Sequence, residues 1–190
     1  MTRMYRKTNE TEITIGLEMT CEKDTALNLN SGVPFFNHML HAMLFFTKLS
    51  ADIECIGDLD VGTHHSLEDI GILMGEAIKG IYSEMRGFNR YACALMPMDD
   101  ALVRVVLDIS GRPYFVLEGL DQNSLSELQQ SLIEFLHACC VNARMTVHID
   151  VIRGFNRHHI FEAVFKAFGK ALGEALTEKQ SIMSTKGVIG

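Results

Sequence analysis

The 190-residue chain holds 47% hydrophobic and 22% charged residues and carries a formal charge of −7, which is ordinary for a globular protein with a packed core of one or two small domains. The negative balance argues against a nucleic-acid partner, because such a protein needs a positive field to displace counterions from phosphates; an anionic ligand must instead be met by local cations. Met1 to Glu10 is polar with no apolar stretch, so no secretory or transit signal is read there, and the Met39 to Phe46 run is too short to span a bilayer. A cytoplasmic protein with no membrane partner is expected.

Glu12 to Met19 alternates as a strand, Ala26 to Asn30 is expected to return as its hairpin partner, and Ser31-Gly32-Val33-Pro34 breaks the pattern. Phe35 to Leu49 predicts a helix, Ala51 to Ile56 a strand and His64 to Ile81 a second helix. After a joint near Met85 to Arg90 come apolar runs at Tyr91 to Met96, Ala101 to Ile109 and Tyr114 to Leu117. A helix from Ser124 to about Cys140, a strand from Arg144 to Ile152 and a helix from His158 to Leu176 follow. This order predicts an α+β fold of two β-β-α-β-α halves, 1–86 and 87–190, in one compact unit with helices packed on one face of the sheet. Cys21, Cys55, Cys93, Cys139 and Cys140 form an odd set without a C-x-x-C pair, so they are expected as reduced, buried small hydrophobes.

His64-His65-x-x-Glu68 returns as His158-His159-x-x-Glu162. At the same offset Gly75 falls on Gly169, Ala77 on Ala171, Ile78 on Leu172 and Ile53 on Val147, the mark of an internal duplication. If each cluster opens a helix, the first His and the Glu stand at i and i+4 and the second His and the Glu at i and i+3, so both imidazoles can neighbour the carboxylate. Adjacent histidines point about 100° apart on a helix. Each cluster should therefore serve two ions, or one ion with its second His reaching to a partner surface. His38, on an otherwise apolar helix, and His148, among β-branched residues, are left open by spacing: the offset sets Leu132 opposite His38 and Glu54 opposite His148.

The ordered motifs N-H-M-L, H-H-S-L-E-D, P-M-D-D-A-L, D-I-S-G-R-P-Y, N-A-R-M-T-V-H-I, H-H-I-F-E-A-V-F-K-A-F and S-T-K-G-V-I resemble those of the imidazoleglycerol-phosphate dehydratase family over nearly the whole chain. The resemblance implies a hydro-lyase of histidine biosynthesis that turns imidazole glycerol phosphate into the acetol phosphate. It also implies two Mn2+ ions per active site and a homo-oligomeric shell of 24 subunits with sites between subunits. Carried over by motif, the metal ligands are His38, His64, His65, Glu68, His148, His158, His159 and Glu162. Arg90, Arg112, Lys166, Ser184, Thr185 and Lys186 match the phosphate-binding pattern, and Glu10, with Glu12 nearby, matches a proton-transferring glutamate that also meets substrate; Glu68 is the companion candidate. Manganese comes from the resemblance, since His and Glu also suit Fe, Co, Ni or Zn.

This chain departs from the family's pattern at Asn37 and Thr63, where acidic residues are common, at Met183 in place of a frequent Pro, and in the apolar His41 to Phe46 segment. A storage or structural shell would lack phosphate cations, which are present here. A binuclear hydrolase would use Asp ligands at strand ends, and a di-iron bundle would carry the reversed E-x-x-H order and no strands.

Overall fold

The computed structural model describes residues 1–20, 26–185, 187 and 189. The first half contains β1 (Thr2–Lys7), β2 (Thr11–Met19), β3 (Leu27–Asn30), α1 (Pro34–Thr47), β4 (Leu49–Gly57) and α2 (His64–Glu84). The second contains β5 (Tyr91–Met98), β6 (Ala101–Asp108), β7 (Tyr114–Glu118), α3 (Glu127–Asn142), β8 (Thr146–Arg153) and α4 (Arg157–Ala175). The sheets have the equivalent orders β1-β2-β4-β3 and β5-β6-β8-β7, so the duplication inferred from the clusters extends to topology.

Two expectations about the strands are corrected. β1 was not foreseen, because no apolar alternation marks it: Arg3, Tyr5 and Lys7 are exposed and Thr2, Met4 and Arg6 only half-buried. It is an edge strand whose charges discourage further pairing. β3 is not the hairpin partner of β2; it runs parallel to β4, with Leu27 opposite Ala51 and Leu29 opposite Ile53. The physical reason is that β1 and β4 already occupy both edges of β2. The chain reaches β4 from β3 through α1, the crossover that parallel strands require; β7, α3 and β8 repeat it.

Each sheet buries one face. Ile13, Ile15 and Leu17 of β2 and Val103, Val105 and Leu107 of β6 turn inward, whereas Glu54, Arg104 and His148 stand on the outer faces. The four helices fill the layer between, α2 against α3 and α1 against α4, and Phe36, Phe135 and Phe165 meet there in an edge contact of 4.8 Å and a stack of 5.8 Å. Glycines permit the close approach: a Cβ on Gly75 would lie 2.5 Å from the Cys139 carbonyl oxygen, and one on Gly169 would collide with the Met43 carbonyl. Cys55, Cys139 and Cys140 are buried as expected, and burial pushes the Cys139 thiol up to about 12. Cys93 is instead exposed, on the outward phase of β5; Cys21 lies outside the described residues.

Helix starts place the site. Pro34 occupies the first turn of α1, where its missing N–H costs nothing. Asn37 Oδ1 accepts the Ser31 N–H at 3.0 Å and the Ser31 hydroxyl at 2.6 Å, an acceptor role that an Asp at this position would also fill. Ser126 and Gln129 form a capping box on α3, and the Asn156 side chain accepts the His158 N–H at 2.9 Å on α4.

Candidate metal centre

The first histidine of each cluster meets its own glutamate across one helical turn. His64 Nε2 lies 3.4 Å from Glu68 Oε2, and His158 Nε2 lies 3.2 Å from Glu162 Oε2. His38 comes across from α1, its Nε2 3.5 Å from the same Glu162 oxygen. The donor atoms of His38, His158 and Glu162 all fall within 4.8 Å of one another. Metal bonds of about 2.1 Å set neighbouring donors roughly 3.0–3.4 Å apart; the two imidazole-to-carboxylate separations, 3.2 and 3.5 Å, come near this, and two imidazoles with one carboxylate are a donor set that suits a divalent ion. Glu162 is nearly buried, and its carboxyl sits below the usual carboxylate range: burial opposes ionisation, but the Lys166 ammonium bonded to it and the nearby His38 outweigh that cost.

The i,i+3 spacing allowed the second histidines to neighbour the glutamates as well, but they turn away from them and each meets an aspartate. His65 Nδ1 lies 3.0 Å from Asp58 Oδ2, in the loop between β4 and α2. His159 Nδ1 lies 2.6 Å from Asp100 Oδ1, in the turn between β5 and β6. Contact with Asp58 raises the His65 pKa above 6.5, against a smaller opposing effect of burial. Asp100 also accepts the Phe155 and Asn156 N–H groups at 2.6 and 3.0 Å; these two bonds and then His159 hold its carboxyl far below the ordinary range. At the outer nitrogens stand more exposed carboxylates, Glu10 Oε1 at 3.7 Å from His65 Nε2 and Asp99 Oδ2 at 3.5 Å from His159 Nε2.

The fold does not bring every predicted ligand together. Among the described residues, His38, His158 and Glu162 form the group able to hold an ion within one chain. His64 and Glu68 remain a pair, and His65 and His159 point elsewhere. His148 is exposed on the outer face of β8, its ring 6.0 Å from that of Tyr114. A cavity of about 1020 Å3 bordered by Leu17, Phe46, Ile81 and Lys170 contains none of these ligands; the imidazoles are exposed or half-buried, and Glu162 is buried beneath them.

The predicted cations that the structure describes each hold protein partners. Arg90 is largely buried, with Nε and Nη2 on the Asp108 carboxylate at 2.8 and 3.2 Å and Nη1 on the Met183 carbonyl at 3.2 Å. It thereby holds the tail just before Ser184 and Thr185. Arg112 is exposed and donates to the Ser110 carbonyl at 3.2 Å. Lys166 pairs with Glu162, and Lys186 lies outside the described residues. Sequence reasoning missed Asp58, Asp100 and also Glu127, whose carboxylate on α3 accepts the Thr63 N–H at 2.7 Å and hydroxyl at 3.0 Å. Glu127 brings to the start of α2 the negative charge that Thr63 does not supply. Asp100 stood within the P-M-D-D-A-L motif and Asp58 just upstream of the first cluster, so acidic residues flanking a ligand cluster were the available signal.

Residues 31–172 match the family model for imidazoleglycerol-phosphate dehydratase. The imidazoleglycerol-phosphate dehydratase of Staphylococcus epidermidis is 43% identical over 98% of this chain and 98% of its own length, and that of Staphylococcus aureus is 44% identical over 97% and 96%. The crystal structure of the Staphylococcus aureus N315 enzyme superposes with a TM-score of 0.79 at 40% identity, covering 94% of this chain and all of that one. The Pyrococcus furiosus enzyme in complex with (S)-C348 gives 0.82 at 36% identity, covering 98% of this chain and all of that one. A duplicated fold carrying twin His-His-x-x-Glu helix starts, matched over nearly its full length to these proteins, makes this chain a member of the imidazoleglycerol-phosphate dehydratase family, hydro-lyases of histidine biosynthesis.

Proposed function

We propose that this chain catalyses the metal-dependent loss of water from imidazole glycerol phosphate, giving imidazole acetol phosphate, with two Mn2+ ions per active site. The observation that carries this reading is the His38, His158 and Glu162 group, mirrored by His64 and Glu68 at the start of α2. His65, His159 and His148 present their imidazoles outside that group, and so we assign the active sites to contacts between subunits of a cytoplasmic homo-oligomer of 24 copies. The halves 1–86 and 87–190 each contribute one cluster to a compact protomer.

The chemistry accounts for the donor set. The C–H beside the middle hydroxyl is not acidic, because no carbonyl adjoins it, so elimination depends on the imidazole ring of the substrate. When bound, the ions supply Lewis acidity and a template for that ring. Glu10, beside His65, and Glu68 are assigned the proton transfers: the hydroxyl on the carbon attached to the ring gains a proton and leaves as water, and the middle carbon, which keeps its own hydroxyl, loses its proton. The resulting enol tautomerises to the ketone. Arg112, Lys166 and the tail residues Ser184, Thr185 and Lys186 are assigned to the phosphate, Arg for its bidentate fork and Lys as a point charge. Arg90 serves the same subsite through its hold on the tail.

The test is a metal-dependent assay for imidazole acetol phosphate before and after chelation. Product that disappears on chelation and returns with Mn2+ is the expected result. No product with Mn2+ restored defeats the dehydratase reading, and product untouched by complete chelation defeats the metal assignment.

A further inference from the structure

We propose that Asp58 and Asp100 are matched positioning residues that hold the second histidine of each cluster, His65 and His159, in the tautomer protonated on Nδ1 and so reserve Nε2 for an ion. The proposal rests on the metal-dependent reading above and concerns residues that the sequence motifs did not assign.

The same contact is built twice from unrelated positions. In the equivalent sheets the β4–α2 loop of Asp58 corresponds to the β8–α4 loop, and the β5–β6 turn of Asp100 corresponds to the β1–β2 turn, so duplication did not deliver the two carboxylates as a pair. One comes from the loop between β4 and α2, the other from the turn between β5 and β6. Yet His65 Nδ1 stands 3.0 Å from the first and His159 Nδ1 2.6 Å from the second. Two independent solutions to one geometry point to a requirement of the histidines rather than to inheritance.

The requirement is chemical. A neutral imidazole carries one N–H and one lone pair, and an acceptor-only carboxylate beside Nδ1 places the N–H there and the lone pair on Nε2. The negative charge behind the ring also makes Nε2 a stronger donor to a cation, and loss of such an outer carboxylate typically weakens metal binding about 10–100-fold. Among the described residues, the Asp58 carboxylate bonds His65 alone. Asp100 has a second duty, fixing the Phe155 and Asn156 amides that lead into α4.

The experiment is titration of the intact homo-oligomer with Mn2+ alone, following the paramagnetic resonance signal of the free ion, for wild type, Asp58→Asn, Asp100→Asn, His65→Ala and the double variant Asp58→Asn/His65→Ala. The expected result is Mn2+ binding about 10–100-fold weaker in either aspartate variant. In the His65→Ala background, Asp58→Asn adds no further loss, because the carboxylate acts through that ring. Wild-type affinity in Asp58→Asn, or equal losses with and without His65, overturns the proposal. If Asp100→Asn fails to fold because its amide bonds are lost, the Asp58 cycle decides the matter alone. Wild type that binds Mn2+ but forms no acetol phosphate sinks the dehydratase reading and leaves the titration interpretable; wild type that takes up no Mn2+ overturns both.

Discussion

Asp69 Oδ2 accepts the Thr11 hydroxyl at 2.5 Å, and the other oxygen of the same carboxylate accepts Arg6 Nε at 2.9 Å. Asp69 follows Glu68 on α2 and Thr11 follows Glu10 in the β1–β2 turn, so this contact ties the proposed proton-transfer glutamate to the helix carrying His64 and His65. The turn is itself closed by Thr8 Oγ1, which accepts the Glu10 and Thr11 N–H groups at 3.1 and 3.0 Å.

Thr11→Val removes the hydroxyl and leaves a buried carboxylate oxygen short of a partner, which costs about 1–3 kcal/mol of stability. Turnover is expected to fall while Mn2+ content stays at the wild-type value, since Glu10 moves and the ligands do not. Thermal melts, metal analysis and kcat on one preparation check this. Loss of metal in step with loss of turnover would refute it.

Gly169→Ala drives a methyl group into the Met43 carbonyl of α1. Overpacking of this kind costs about 1–3 kcal/mol, or a fall in Tm of roughly 2–4 °C per kcal/mol for a chain of this size. Because α1 carries His38 and α4 carries His158 and Glu162, metal affinity is expected to fall with stability. The matching Gly75→Ala strains the α2–α3 contact instead.

His158→Ala deletes one of the donors within 4.8 Å of His38 and Glu162. Activity is expected to drop by roughly 100-fold or more, because Lewis-acid stabilisation is worth several kcal/mol. Bound Mn2+ should fall in parallel. Full metal content with activity unchanged would remove this group from the reaction.

Glu127→Gln weakens the acceptor that holds Thr63 at the start of α2. The Thr63 N–H and then its hydroxyl depress the Glu127 pKa below 4.5, so its stabilising contribution is fully present above that value. It is lost as pH falls through the lower, folded-state pKa. Wild type is therefore expected to lose this part of its stability only in acid, whereas Glu127→Gln lacks it at neutral pH too. Tm measured from pH 7 down to pH 3 for both proteins should converge; a constant gap would contradict the assignment.

Metal binding requires neutral imidazoles, so activity is expected to fall below about pH 6 as histidines protonate. The Asp58 contact raises the His65 pKa above 6.5, which favours its protonated form and starts the competition between proton and ion at a higher pH than an isolated ring would. A pH–rate profile at limiting and saturating Mn2+ checks the sign: excess Mn2+ should shift the acid limb to lower pH. Full activity retained at pH 5 would exclude histidine ligation as the controlling event.

Much of the fold could be read from periodicity, because an amphipathic helix and a half-buried strand write their buried faces into the order of residues. Hence α2 and α4 begin close to the His-His pairs, β2 lies where alternation set it, and β4, β6 and β8 lie close to the strands and apolar runs read from the sequence. β1 escaped because an edge strand with charged outward residues carries no such signature. The pairing of β3 escaped because strand partners are chosen by which edges remain open, and only the assembled sheet shows that β2 has none left for it.

The site divides the same way. The repeated His-His-x-x-Glu spacing by itself determined that each first histidine would lie one turn from its glutamate and that adjacent imidazoles would point about 100° apart, since helical rotation per residue is a local property of the backbone; it left open whether the second histidine would also meet the glutamate. Tertiary structure alone decided that His38 joins His158 and Glu162, and that Asp58 and Asp100 take up His65 and His159. Those contacts depend on how closely α1 packs against α4 over Gly169 and Gly173, and on where two loops come to rest. Such distances are set by packing between segments remote in the chain, which residue spacing does not encode.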